Sequence, residues 1–121
     1  MSSYSETKKK SEERVARNKK DQAKQLIEDI TYHYRLMPDT PLKTSIALEH
    51  RRTLASFCYT ALDRGFIDRN TVGVLLELLA TTPYSLPNRG YVRPIYHYLI
   101  GSLNKELLRL IEQANPEATN D

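Results

Sequence analysis

The side chains of this sequence that could do chemistry at neutral pH are one cysteine, Cys58, and three histidines, His33, His50 and His97. A nucleophilic cysteine needs a nearby base and partial exposure. Cys58 lies in the middle of an apolar stripe, so we expect it to pack as a small hydrophobe. The histidines do not show the i, i+4 spacing or the accompanying acidic ligands of a metal site, so no metal is predicted. His33 and His50 lie near the edges of apolar stripes, and we expect both to be half-buried.

Recognisable catalytic motifs are missing from the chain. The sequence contains no Gly-rich phosphate loop, no nucleophile elbow and no HExxH motif. A single cysteine excludes an internal disulfide and a Cys-rich zinc site, and it fits a reducing compartment. The sequence therefore predicts a protein that is not an enzyme, needs no cofactor and works by binding a partner.

Charge is the first guide to that partner. The 121 residues carry 18 Lys and Arg against 15 Asp and Glu, a net charge of +3. Residues 1–24 alone hold eight basic and four acidic side chains. A basic arm attracts phosphate groups without reading sequence. It serves equally well as a solubilising tail, and charge alone leaves both interpretations open.

The spacing of apolar residues predicts two helices in the first half of the chain. Residues 23–37 repeat at i, i+3, i+4 and i+7, which is typical of an amphipathic helix, and Pro38 ends it. A second helix is predicted over residues 42–64. Gly65 follows as its C-terminal cap, because glycine accepts the left-handed conformation at low cost.

Two further helices are predicted in the second half. The third covers residues 71–81 and is capped by Asp68 or Asn70. It is apolar almost all round, so we predict that it is the central, most buried helix. The fourth begins at Pro94, where the missing N–H costs nothing, and ends at residue 114. The loop before it, of about ten residues, is long enough to be functional.

The fold predicted from these patterns is all-α, a single small bundle of about four helices with a basic N-terminal arm. Residues 1–22 form the arm or a helix extension, residues 23–114 the helical bundle and residues 115–121 a disordered tail. No apolar run is long enough to span a bilayer, and no signal-peptide pattern is present. We expect a cytoplasmic protein with no membrane contact.

Arg51 is a charge predicted on an apolar face, the face that also carries Leu54 and Cys58. A charge there must be paired or must reach past the core. We favour an ion pair with Glu28 or Asp29 of the first helix. The alternative is that this face of the second helix meets a partner.

Basic faces that also carry a tyrosine are predicted on the first and fourth helices. Lys and Arg neutralise phosphates, and tyrosine stacks on a base or a sugar. The alternative is a solvated face with an incidental tyrosine, because Asp21, Glu28 and Glu112 dilute these faces. With the residues around the second helix, the predicted nucleic-acid-binding set is Lys10, Arg14, Arg17, Lys24, Lys43, Arg52, Arg64, Arg69, Lys105 and Arg109.

A second set of residues suits a protein partner. Aromatic residues and arginine on a proline-braced loop favour a contact surface. The alternative is that Tyr84 and Leu86 pack over the helix ends. The predicted partner-binding residues are Arg51, Tyr84, Leu86, Arg89, Tyr91 and Tyr98.

Over residues 23–114 the chain resembles, in architecture and charge, the small subunits of CRISPR–Cas effector complexes. Those are short, all-helical, mildly basic bundles without catalytic residues. The resemblance implies several copies along a guide-RNA filament, supporting the DNA strands through lysines and arginines. We therefore predict a non-enzymatic helical subunit of a nucleoprotein complex that contacts RNA or DNA backbone and other protein subunits. The alternative is a helical protein–protein adaptor or inhibitor, of phage or plasmid type, with no nucleic-acid contact.

Overall fold

The computed structural model describes residues 2–38, 40, 43–82 and 88–114. They form four helices: α1 (Ser2–Leu36), α2 (Thr44–Asp63), α3 (Arg69–Thr81) and α4 (Asn88–Ala114). The described segments contain no strand, so the predicted all-α bundle of four helices is confirmed. Residues 2–22, predicted as an arm or a helix extension, form the N-terminal part of α1. Residues 115–121 lie outside the described part of the chain.

Helices α1 and α4 form the most extensive helix pair in the molecule. They run antiparallel: the Arg89 N–H bonds the Pro38 carbonyl at 3.4 Å, and Tyr96 further along α4 reaches back to His33. Fully or almost fully buried side chains line the seam between them. They include Ala23, Leu26 and Ile30 of α1 and Ile95, Leu99, Leu103 and Leu110 of α4. Each of the buried leucine and isoleucine side chains contributes about 1.5–3 kcal/mol through burial.

The turn between α2 and α3 is closed by caps at both of its ends. Gly65 takes a φ of 77°, and its N–H bonds the Leu62 carbonyl at 2.9 Å. The predicted glycine cap is therefore confirmed. Of the two predicted caps for α3, Asp68 is the one used, since its carboxylate accepts the Thr71 N–H at 2.7 Å. Hydrogen bonds from Thr71 lower the pKa of Asp68 from its ordinary value.

Helix α3 is not the central, most buried helix, so that prediction is wrong. Its buried side chains are Val72, Leu75 and Leu79, whereas Val74 is 50% exposed and Leu78 is 43% exposed. With 13 residues, α3 lays one face on α2 and α4. A helix that is apolar all round is fully buried only when neighbouring helices surround it. In this bundle the centre is occupied by α1 and α4 instead of α3.

The predicted start of α4 at Pro94 is also wrong. The helix begins at Asn88, and Pro94 lies inside it. An internal proline removes one helical hydrogen bond and strains the turn before it. The burial of Val92 and Ile95 on either side of it offsets that cost. The connection between α3 and α4 therefore spans residues 82–87, which is shorter than predicted.

Candidate nucleic-acid interface

The outer face of α1, opposite the seam, carries the strongest concentration of predicted contacts. We call this set the α1 stripe; its members are Lys10, Arg14, Arg17, Lys24, Tyr32 and Arg35, and all are exposed. Residues three, four or seven apart along a helix share one side. From Lys10 to Arg35 the stripe extends about 37 Å at 1.5 Å per residue. Asp21 and Glu28 are exposed on the same side, so this side of α1 carries five cations and two carboxylates.

The cations of the α1 stripe are available to an outside partner. Arg109 and Glu106 of α4 form an ion pair, whereas no ion pair within the described part of the chain involves a residue of the stripe. Tyr32 is 66% exposed and presents its ring to solvent. Exposed, unpaired cations beside an accessible aromatic ring are the groups that bind phosphates and stack on bases.

The cations around α2 do not form one patch. Lys43, Arg52, Arg64 and Arg69, which belong to the predicted nucleic-acid-binding set, are all exposed. Lys43 precedes the 20-residue helix α2 and Arg64 follows it, which separates them by about 30 Å. Arg64 and Arg69 flank the α2–α3 turn, whereas Arg52 lies in mid-helix. Lys43, Arg52 and Arg64 also fall on different sides of α2, so a single phosphate backbone meets them less readily than it meets the α1 stripe, whose members share one side.

The basic face of α4 is weaker than predicted. Tyr98 and Lys105 are exposed, but Arg109 is held by Glu106, with Nη2 2.5 Å from Oε1 and Nε 3.1 Å from the same oxygen. That carboxylate raises the pKa of Arg109 further above its ordinary value. Arg109 also donates to Gln113 at 3.3 Å. Its charge is locally compensated, so it is the least suited of the predicted phosphate contacts.

Arg51 is buried, with 7% of its surface exposed, and it binds the carbonyl groups at the end of α3. Its guanidinium donates to the Leu79 carbonyl at 2.5 Å and to the Thr82 carbonyl. The predicted ion pair with Glu28 or Asp29 is therefore wrong, and both of those side chains are exposed on α1. The last carbonyls of a helix lack helical donors and carry partial negative charge, which makes them acceptors for arginine. Arg51 ties α2 to the end of α3 and offers little surface to a partner.

Arg89 has a parallel role at the end of α1. It lies in the first turn of α4, and its Nη2 donates to the Arg35 carbonyl at 3.1 Å. Two arginines thus cap two helix C-termini from a neighbouring helix, a pairing that sequence spacing does not reveal. Among the other predicted partner-binding residues, Tyr84 and Leu86 lie outside the described residues. Tyr91 is in α4, but its side chain also lies outside them.

Sequence reasoning missed a cluster at the meeting point of α1, α2 and α4. We call His33 and His50 the histidine pair: Nε2 of His33 lies 3.0 Å from Nδ1 of His50, and the ring centroids are 5.0 Å apart. Nδ1 of His33 contacts the Tyr96 hydroxyl. Both rings are half-buried, as predicted. Burial, with a smaller contribution from His50, lowers the pKa of His33 to about 4, so its imidazole is neutral at neutral pH.

The other reactive side chains lie apart from this cluster or deep within the core. His97 is exposed and accepts from Arg93 at 3.3 Å. Cys58 is buried in the core, as predicted, and burial raises the pKa of its thiol to about 11. Within the described residues, no group of three or more His, Cys, Asp or Glu side chains is placed to hold a metal ion.

Comparisons of the chain with protein-family models, with curated proteins and with solved structures found no match. Among the helices of the described residues, none has both the length and the apolar character that crossing a bilayer requires.

Proposed function

We propose that this protein is a non-enzymatic helical subunit of a nucleoprotein assembly that binds the backbone of RNA or DNA through the α1 stripe. The observation that carries the proposal is the alignment of five exposed cations and Tyr32 along one side of one helix. The small helical subunits of CRISPR–Cas effector complexes, which the sequence resembles, are the class of protein that this proposal has in view. Other protein subunits, and several copies of the chain, would complete such an assembly.

The dimensions of the α1 stripe suit a phosphate backbone. Each strand of a duplex places one phosphate per about 3.4 Å of helix axis, so a stripe of about 37 Å spans the axial rise of roughly ten phosphates of one strand. Its cations stand at uneven intervals, interrupted by Asp21 and Glu28. Such an arrangement attracts phosphates without presenting a hydrogen-bond pattern that matches base edges, so binding is expected to be largely independent of sequence.

The test is a titration of labelled RNA and DNA, single-stranded and duplex, at several salt concentrations. The variant Arg14→Glu/Arg17→Glu reverses two charges of the α1 stripe. The matched control, Arg52→Glu/Arg64→Glu, makes the same change in net charge on and beside α2. We expect the stripe variant to reduce the slope of log K against log salt by about 2 and to weaken binding at least about tenfold.

The control separates the stripe from overall charge. The sequence hypothesis includes Arg52 and Arg64 among the contacts, so that variant should weaken binding too, but less. Equal losses in both variants would mean that binding is not concentrated in the stripe. Binding that is undetectable, or that does not change with salt, would reject the nucleic-acid proposal.

A second function, a helical protein–protein adaptor or inhibitor, is favoured by the exposed apolar flank of α3. Val74 and Leu78 stand one helical turn apart and are 50% and 43% exposed. Paired apolar side chains on an exposed flank suit a protein contact more than a phosphate contact. A protein recovered by pull-down after nuclease treatment, and lost with Val74→Ser/Leu78→Ser but not with Arg14→Glu/Arg17→Glu, would favour this function.

A further inference from the structure

We propose that the histidine pair, where Nε2 of His33 on α1 faces Nδ1 of His50 on α2, is a binding site for a first-row transition-metal ion such as Zn²⁺. The two imidazoles supply the protein ligands, and water completes the coordination. The proposal is independent of the nucleic-acid function, because it rests on no residue of the α1 stripe.

The distance between the two nitrogens matches shared coordination. Two imidazole nitrogens at about 2.0–2.1 Å from one ion are about 2.9 Å apart for a right angle at the metal and about 3.3 Å apart for a tetrahedral angle. The corresponding ring centroids are about 4.6 and about 5.3 Å apart. The observed separations are 3.0 Å between the nitrogens and 5.0 Å between the centroids. Both fall inside these ranges, so an ion can be accommodated with shifts of a few tenths of an ångström.

The far side of His33 has the support that ligating histidines have. Metal-bound histidines almost always hydrogen-bond through their other ring nitrogen, which fixes the tautomer and the ring orientation. Nδ1 of His33 contacts the Tyr96 hydroxyl, and that hydroxyl also reaches Sδ of Met37 at 3.6 Å. When Nδ1–H donates to the tyrosine oxygen and the tyrosine O–H donates to sulfur, the lone pair of Nε2 points toward His50. The chain of three side chains can therefore hold His33 in the ligating tautomer, in which Nε2 of His33 accepts the hydrogen bond from Nδ1–H of His50. An ion that takes the place of this shared proton requires His50 to carry its proton on Nε2 instead.

The charges around the pair do not oppose a cation. The side chains packed against His33 include aromatic rings: its ring centroid lies 5.7 Å from that of Phe57 and 6.0 Å from that of Tyr96. Tyr34 packs in turn on Tyr96, with ring centroids 4.8 Å apart. The nearest fixed cation along α2 is Arg51, whose guanidinium is turned toward the carbonyls at the end of α3.

The ligand set also selects the class of metal. Imidazole nitrogen suits Zn²⁺, Ni²⁺ and Cu²⁺, whereas Mg²⁺ and Ca²⁺ prefer oxygen ligands. Both residues are partly exposed to solvent, and water would supply the remaining ligands. Two protein ligands bind less tightly than the four of a closed structural zinc site. Because the ligands come from α1 and α2, the ion would hold these two helices together.

The experiment is a titration of the full-length chain, purified without a histidine tag and free of nucleic acid, with ZnCl₂ and in parallel with MgCl₂. Calorimetry gives the stoichiometry, and thermal unfolding gives the change in Tm. We expect one Zn²⁺ per chain, no response to Mg²⁺, and a Tm raised by about 5 °C at saturating Zn²⁺. His33→Gln and His50→Gln should each abolish binding, and His97→Gln should retain it.

Two further measurements keep the test decisive. Circular dichroism shows whether each variant is folded, and if His33→Gln is not, His50→Gln carries the test. In the wild type, Zn²⁺ should shift the NMR signals of the His33 and His50 imidazoles and leave those of His97 in place. Failure of wild-type protein to bind Zn²⁺, or binding that survives in folded His50→Gln, would overturn the proposal.

Discussion

The α1–α4 pair and the α2–α3 pair are stabilised in different ways. The long pair is stabilised by a continuous apolar seam that buries Leu99 and Leu103 completely. The short pair has polar contacts at both ends of α3: Arg51 donates to the carbonyls at its C-terminus, and Asp68 accepts the Thr71 N–H at its N-terminus. It leaves Val74 and Leu78 of α3 largely uncovered. Apolar spacing therefore predicts packing well where two long helices meet, and poorly where a short helix has few neighbours.

The largest expected effect is a cavity in the seam of the long pair. Leu99→Ala removes a side chain with no exposed surface, and we expect a loss of about 2–5 kcal/mol in the free energy of unfolding. Leu108→Ala makes the same change at a position of α4 that is 63% exposed, and should cost no more than about 0.5 kcal/mol. Denaturant unfolding measures both. Similar losses in the two variants would mean that the seam does not dominate stability.

The next effect concerns Cys58, which α2 buries against the core. Its pKa is raised from 9.0 to about 11, so the folded state resists ionisation that the unfolded state permits. Stability from this group is fully present below pH 9.0 and is lost as the pH rises toward about 11. Comparing wild type with Cys58→Ala isolates this slope from tyrosine titration. A native thiol that reacts with an alkylating reagent as fast as the unfolded chain would contradict its burial.

Arg51 tests the polar contacts of the short pair. Arg51→Met keeps the apolar stem but leaves the Leu79 and Thr82 carbonyls without this donor, and should cost about 1.5–3 kcal/mol. The neighbouring Arg52 is exposed, so Arg52→Met should change stability by no more than about 0.5 kcal/mol. Urea unfolding of the two variants makes the comparison. If Arg51→Met were as stable as wild type, the carbonyl contacts would not hold α3 in place.

The smallest effect is expected on the outer flank of α3. Leu78→Ala should lower stability by no more than about 0.5 kcal/mol, because the side chain is already 43% exposed. Leu75→Ala on the same helix removes a side chain with no exposed surface, and should cost about 2 kcal/mol or more. Thermal unfolding distinguishes them. A large loss in Leu78→Ala would show that α3 is more deeply packed than its exposure indicates.

The features that the sequence could predict are those that depend on neighbours in the chain. Four helices and the glycine cap at Gly65 follow from spacing and local chemistry, and the structure confirms them. The cap of α3 was narrowed to Asp68 or Asn70, and the structure uses Asp68. The half-burial of His33 and His50 follows from their place at the edge of each stripe, and is confirmed as well. Each of these features is decided within a few residues of the one that carries it.

The features that could not be predicted depend on contacts between distant segments. The acceptors of Arg51 lie 28 and 31 residues away, at a helix end whose position in space no local pattern specifies. The two imidazoles of the histidine pair are 17 residues apart and meet because α1 and α2 bring them together. The start of α4 was placed at Pro94 by a rule for isolated helices, whereas burial of Val92 extends the helix before it.

The proline inside α4 interrupts the hydrogen bonding of that helix. Because Pro94 has no N–H, the Gly90 carbonyl receives no helical hydrogen bond from it. The first six residues of α4 are therefore connected to the rest of the helix by one hydrogen bond fewer than in a regular helix. Arg89, in the first turn of this segment, donates a hydrogen bond to the Arg35 carbonyl of α1. We therefore expect this segment to open locally more readily than the rest of α4 when the Arg89 contact is removed. In Arg89→Met, amide hydrogen exchange should be faster in these six residues than in the remainder of the helix.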